Sequence, residues 1–307
     1  MSPILSIKQL KKVYYNKKKP LVAVDAISFD LQPSEILGLL GPNGSGKTTT
    51  IQMLLGTLAA TSGEISYFGR DFFKYRSDIL QDISFASTYT SLPYLLTIEE
   101  NLRCFGHLFC VENALEKAEP LLKRFGIYDK RKEKVAALSA GQVTRLMLVK
   151  AFFTDPKVVL LDEPTASLDP DIARDVCAFL LEQRQQRGVS IVFTSHKMEE
   201  VAQVCDRVIV LKNGKIIADD LPKNLAKSIS FHRVRLHIAD GMKRIIALAE
   251  RHRFSCHVDQ RVFLCTLEEA QIPAFLQLVM QEGISYSSIQ IEEPSLEDYF
   301  LKIAGDL

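Results

Sequence analysis

Up to about Leu221 the chain alternates short apolar runs with longer stretches of mixed apolar and polar positions. Ile36–Leu40, Val158–Leu161, Ser190–Thr194 and Arg207–Leu211 are compact runs rich in Val, Ile and Leu. That is the length and composition of strands buried on both faces. The segments between them are long enough for crossover helices, so the pattern predicts an α/β unit with parallel strands. Val22–Leu31 and Glu64–Phe68 read as additional strands of antiparallel type. Between about Thr97 and Ala137 the pattern turns helical and more polar, as a helical insertion would.

The pattern changes near Pro222. Phe231–Ile238 alternates like a strand, and Met242–His252 has helical spacing. Phe254–Val258 and Arg261–Thr266 form a hairpin around Asp259-Gln260. Glu268–Glu282 reads as a second helix, and Ile284–Ile291 as a further strand. This order, β-α-β-β-α-β, is the split βαβ order of a small α+β ferredoxin-like domain. A last helix over Ser295–Ile303 has Ser295 as its N-cap and Asp298 in its first turn. The expected domains are therefore 1–221, with a helical subdomain at about 97–137, and 222–307.

Composition narrows the function. With 307 residues and 47% hydrophobic content, the chain can fill one large core and a smaller one. The net charge of +1 gives no global field favouring nucleic acid, and no nucleic-acid partner is expected. No apolar run approaches the roughly 18 residues of a membrane span. Lys8, Lys11 and Lys12 interrupt the N-terminal stretch too early for a signal peptide, so a cytoplasmic protein is expected. The six cysteines show no C-x-x-C pair and read as free thiols, mostly buried.

Gly41-Pro42-Asn43-Gly44-Ser45-Gly46-Lys47-Thr48-Thr49 follows the apolar run Ile36–Leu40 directly and fits G-x-x-x-x-G-K-[ST]. Its glycines let the backbone curl so that N–H groups point at phosphate oxygens, and a helix beginning near Lys47 adds its positive dipole end. Lys47 is placed to reach the β- and γ-phosphates, and the Thr48 hydroxyl to ligate Mg²⁺. Accidental matches arise in roughly 1% of chains this long, and the strand context lowers that further. Val158–Leu161 then delivers Asp162 and Glu163 at the end of a buried strand, where open α/β sheets bind ligands. Asp162 is the candidate Mg²⁺ ligand, and Glu163 the base that polarises the attacking water.

Leu138-Ser139-Ala140-Gly141-Gln142 also reads as a capping box, Ser139 paired with Gln142. Together with the preceding motifs it resembles the signature of the ABC transporter nucleotide-binding domain, where L-S-G-G-Q is usual. The resemblance implies a P-loop NTPase (ABC ATPase) domain that binds ATP and Mg²⁺. It implies that Ser139, Gly141 and Gln142 meet the γ-phosphate on the P-loop of a partner subunit, in a homodimer or a heterodimer. Ser167-Leu168-Asp169 resembles the family's D-loop, and His196 its switch histidine. Tyr14 resembles the aromatic residue that stacks on adenine. Thr88 falls where the family carries a glutamine. Glu293–Leu301 is similar to the tail of ATPases that serve drug and polysaccharide exporters of the daunorubicin-resistance type.

The resemblance implies an ATP-hydrolysing subunit that works with a separate integral-membrane permease, peripheral on the inner face of the membrane. A soluble ABC ATPase acting on the ribosome or nucleic acid is the alternative, but such chains usually carry two nucleotide domains. ABC ATPases of DNA repair interrupt the domain with long heptad repeats, which are lacking here. A P-loop small-molecule kinase leaves Leu138–Gln142 unexplained.

Overall fold

The computed structural model describes residues 2–15, 19–87 and 92–304. They form two compact units, Met1–Pro222 and Lys223–Leu307.

In the first unit, β1 (Leu5–Tyr15) and β2 (Pro20–Leu31) pair antiparallel. The sequence pattern did not anticipate β1. Lys8, Lys11 and Lys12 break its alternation, and its register slips three times between Ile7 and Val13, so its apolar side chains do not keep period two. β3 (Ile36–Leu40) is buried at every position and leads into the glycine-rich loop and α1 (Lys47–Leu54). β4 (Ser62–Tyr67) and β5 (Arg70–Asp71) complete a four-stranded antiparallel sheet of order β2-β1-β4-β5. α2 (Arg76–Gln81) and β6 (Ile83–Ser87) follow.

The polar insertion holds α3 (Ile98–Leu108) and α4 (Ala114–Arg124). α3 starts at a reciprocal cap: Glu100 N–H donates to Thr97 Oγ1 at 3.2 Å, and Thr97 N–H donates to Glu100 Oε2 at 2.7 Å. α5 (Ala140–Phe152) then leads to β7 (Val158–Asp162), α6 (Pro170–Arg187), β8 (Ser190–Thr194) and α7 (Met198–Val204). α6 opens with Pro170 in its first turn, where a missing N–H costs nothing, and ends at Gly188 with φ +67°. β9 (Arg207–Lys212) and β10 (Lys215–Asp220) close the unit.

The second sheet has the order β10-β9-β3-β8-β7-β6, with every pairing parallel except the edge hairpin β9–β10. β3, β7 and β8 are buried throughout, which explains why their sequences are free of polar side chains except at the strand-end residues Asp162, Ser190 and Thr194. Their C-terminal ends lie side by side on one rim of the sheet.

α8 (Pro222–Lys227) starts on the last residue of the first unit and opens the second. The second unit continues through β11 (Phe231–Asp240), α9 (Met242–His252), β12 (Ser255–Asp259), β13 (Val262–Glu268), α10 (Ile272–Gln281) and β14 (Ser285–Glu292) to α11 (Leu296–Ala304). The sheet order is β12-β13-β11-β14, antiparallel throughout. Val234, Leu236, Phe263, Cys265 and Leu267 of the sheet pack with Ile245 and Leu248 of α9 and Phe275 and Val279 of α10. The segment read as one helix from Glu268 opens instead as a 3₁₀ turn over Glu269–Gln271, and the α-helix starts at Ile272 with Pro273 in its first turn. At α11 the Asp298 carboxylate accepts from Ser295 N–H at 2.8 Å, and Asp298 N–H donates to Ser295 Oγ at 3.2 Å. Arg233 pairs with the same carboxylate.

The thiols correct one expectation. Cys177, Cys205 and Cys265 are buried, but Cys104, Cys110 and Cys256 are exposed, so half of them reach solvent rather than most being hidden.

Candidate active site

The rim formed by the ends of β3, β7 and β8 opens into a cleft of about 320 Å³. Tyr14, Asn43 to Thr49, Asp162 and Glu163 line it. Residues remote in sequence meet there because parallel strands present their C-terminal ends at the same edge, where a ligand site forms at a switch in strand order.

The loop after β3 depends on glycine at two points. Gly41 has φ +150°, and a Cβ there would lie 2.2 Å from Leu211 O and 2.4 Å from Ser45 Oγ. Gly46 has φ +107°, and a Cβ would lie 2.6 Å from Ala23 O. Only glycine allows both the dihedral and the close approach. Ser45 Oγ is buried with no hydrogen-bond partner among the described residues. An orphaned hydroxyl at the floor of such a loop fits a site built to meet an oxyanion. The first N–H groups of α1 have no carbonyl within the helix to pair with and add to the donor set.

Lys47 Nζ donates to Gly41 O at 2.6 Å and to Pro42 O at 3.2 Å, so the ammonium lies across the loop. Burial lowers its pKa, and the Glu163 and Asp162 carboxylates oppose that shift.

Asp162 ends β7 and is almost fully buried. Its Oδ1 accepts from Thr194 Oγ1 at 2.7 Å, and its Oδ2 lies 3.4 Å from Thr48 Oγ1. A hydroxyl and a carboxylate oxygen brought together in this way are the hard donors Mg²⁺ prefers. Glu163 has φ +54°, a left-handed conformation costly for a residue with a Cβ. Its N–H donates to Thr194 O at 3.2 Å and to Thr194 Oγ1 at 3.0 Å, which holds the strained backbone in place. The turn points Glu163 back toward the cleft. His196 Nδ1 is 2.7 Å from Glu163 Oε2, and His196 N–H donates to the same oxygen at 3.3 Å. The imidazole itself is exposed, while the carboxylate it touches is mostly covered.

Part of this set has no local signature in the sequence. Thr194 belongs to the strand before His196, and only the pairing of β7 with β8 places its hydroxyl between Asp162 and Glu163. Leu21, Val22 and Ala23 line the cleft beside Tyr14 because β1 and β2 pair across Tyr14 and Leu21. Glu200 on α7 accepts from Thr165 Oγ1 and from Ser195 Oγ and pairs with Lys197, tying the turns after β7 and β8 together. Thr88 lies outside the described residues.

Ser139, Gly141 and Gln142 do not line the cleft. They form the N-terminus of α5, where Gln142 N–H donates to Ser139 Oγ at 3.3 Å and Ser139 N–H donates to Gln142 Oε1 at 2.9 Å. A Cβ on Gly141 would lie 3.3 Å from Ser167 O, so the helix start packs beside the Ser167–Asp169 turn.

The profile of the family described as ABC transporter matches residues 24–166, a span that runs from β2 through the glycine-rich loop to the turn after Glu163. The bacitracin transport ATP-binding protein of Bacillus licheniformis is 30% identical over 99% of this chain and 98% of that protein. The chain belongs to the ABC transporter ATP-binding proteins. A Nod factor export ATP-binding protein of Burkholderia pseudomallei is 33% identical over 98% of this chain and 97% of that protein. Among solved structures, the ATP-binding subunit of an ABC transporter is 25% identical and superposes with a TM-score of 0.67 over 73% of this chain and 92% of that one. A dimeric ATP-binding cassette in a post-hydrolysis state with ADP and phosphate has the same fold, with a TM-score of 0.66, 22% identity, and coverage of 71% of this chain and 98% of that one. As a family member this ABC protein binds and hydrolyses ATP.

Proposed function

We propose that this chain is the ATPase subunit of an ABC exporter, and that it works as a dimer of nucleotide-binding units coupled to a separate integral-membrane permease. The export direction is favoured by its likeness along nearly the whole chain to proteins named for bacitracin transport and Nod factor export. Among the described residues no helix is long and apolar enough to cross a membrane, which fits a subunit held at the inner face through its permease.

The dimer reading rests on one observation. The cleft gathers the glycine-rich loop, Asp162, Glu163 and Tyr14, while the Ser139–Gln142 helix start lies outside it. A second subunit, identical or different, supplies that helix start to the outer oxygens of the γ-phosphate. Tyr14 stacks on the adenine. Thr48 and Asp162 would hold Mg²⁺, which would supply positive charge to offset that of the triphosphate. Glu163 takes the proton of the attacking water, and His196, bonded to Glu163 through Nδ1, orients that carboxylate beside the γ-phosphate. ATP then stabilises the dimer because it binds that state more tightly, and cleavage of the γ-phosphate releases it.

The test of this arrangement is Ser139→Arg. Monomers should still bind Mg-ATP, but dimer formation measured by size exclusion with light scattering should disappear, and turnover should fall at least about 100-fold. An unchanged dimer and unchanged turnover in a folded Ser139→Arg protein would overturn the sandwich.

Every residue assigned to ATP precedes Pro222. A chain ending there should bind ATP within about threefold of the full-length affinity, since the lost unit carries no group of the cleft. The measurement is fluorescence binding of an ATP analogue. A folded truncated chain with no affinity would place part of the site beyond residue 222.

A further inference from the structure

Cys256 and Cys265 are directly opposed residues of the antiparallel pair β12–β13. Side chains of opposed residues leave the sheet on the same face. Cys265 projects into the core beneath α9 and α10, and Val258, two positions along from Cys256 on the same strand, packs against that core. Opposed Cα atoms lie about 4.5 or 5.5 Å apart according to the type of pair, and a disulfide needs roughly 4.4–6.8 Å. Cys265 is buried, whereas Cys256 sits on the sheet's edge strand and is exposed. One thiol is therefore accessible and its neighbour is placed to resolve it. We propose that Cys256 and Cys265 form a cross-strand redox pair, closed by exchange with a small-molecule disulfide, and that closure locks the edge strand β12 to the sheet.

The exchange has two steps. Cys256 loses its proton and its Sγ attacks the small disulfide RSSR, giving a mixed disulfide and releasing RS⁻, which takes up the proton. Cys265 then loses its proton and attacks Cys256 Sγ. The Cys256–Cys265 bond forms, the mixed bond breaks, and a second RSH leaves. Two protein thiols are oxidised, and one RSSR is reduced to two RSH.

Burial raises the Cys265 thiol to about 12, with the Cys256 thiol as the next contributor. Burial, followed by the Glu250 carboxylate, also raises Cys256. Both sulfurs stay protonated near neutrality, so closure is slow and follows sustained oxidising conditions. The same high basicity makes each sulfur a poor leaving group, so the closed pair is also slow to reopen. β12 is joined to the sheet only through β13, so a covalent tie acts where the sheet is held on one side.

The experiment uses the full chain in buffers of glutathione disulfide and glutathione, quenched with acid, alkylated and digested with trypsin. Arg253, Arg261 and Lys302 bound the two peptides, so Cys256 and Cys265 fall on separate fragments. Native protein should yield the two fragments joined by a disulfide, reversibly on adding dithiothreitol. Amide exchange over Ser255–Asp259 should slow at least about tenfold on closure. Cys256→Ser, a change at an exposed position, should show neither effect. Stable glutathione on Cys256 with Cys265 still open to alkylation after denaturation overturns the pair. So does a Cys256 link between two chains, and a closed pair that leaves exchange unchanged overturns the lock.

Discussion

Lys47→Ala should reduce ATP turnover by at least about 100-fold and weaken ATP binding with it. Lys47 is the only Lys or Arg among the described residues lining the cleft, which also holds Asp162 and Glu163. Both carboxylates are close enough to raise the lysine pKa against the effect of burial. Removing the ammonium takes away that one cationic side chain, which lines the cleft beside those two acidic groups and would meet the triphosphate. The loop also loses the ties from Nζ to Gly41 O and Pro42 O. Phosphate release at saturating Mg-ATP reads the first effect, and titration with a fluorescent ATP analogue reads the second. Circular dichroism establishes that the variant is folded. Normal turnover in a folded Lys47→Ala protein would falsify the assignment of the phosphate loop.

Glu163→Gln separates binding from chemistry. The amide keeps the size and a contact to His196 but cannot take a proton from water, so turnover should fall by about 10²–10⁴-fold while affinity for ATP is retained. ATP that binds and is not cleaved should hold the two subunits together. The variant should therefore run as a dimer in Mg-ATP and as a monomer in Mg-ADP, measured by size exclusion with light scattering. A Glu163→Gln protein that turns over at the normal rate and remains monomeric in excess ATP refutes both the base and the sandwich. If the natural partner is a different subunit, adding the cognate permease complex restores the ATP-dependent assembly. Failure there closes that route as well.

The parallel sheet was readable because β3, β7 and β8 are buried on both faces and therefore have apolar interiors, with polar side chains only at their ends. The phosphate loop was readable because its close approaches admit only glycine at Gly41 and Gly46. β1 was hidden because its bulges and lysines destroy the period on which strand recognition depends. The role of Thr194 was hidden for another reason. A threonine ending a strand is ordinary in sequence, and its two bonds, to Asp162 and to the Glu163 backbone, exist only once β7 and β8 are in register. The left-handed backbone of Glu163 was equally invisible, since glutamate gives no local sign that it will adopt φ +54°. Pairing of strands far apart in sequence decides these features, and local propensity does not report it.

The cap at the start of α5 uses only the accepting half of the Ser139 hydroxyl. A hydroxyl has one proton to give and two lone pairs to receive with. Ser139 uses a lone pair on Gln142 N–H, and its own proton plays no part in that bond. The side chain can therefore close its own helix and offer a proton outward at once, without turning away from either task. A substitution at this position is best judged by which half of the hydroxyl it removes. Threonine retains both halves, aspartate keeps the acceptor but adds a negative charge that would oppose a phosphate, and alanine loses both.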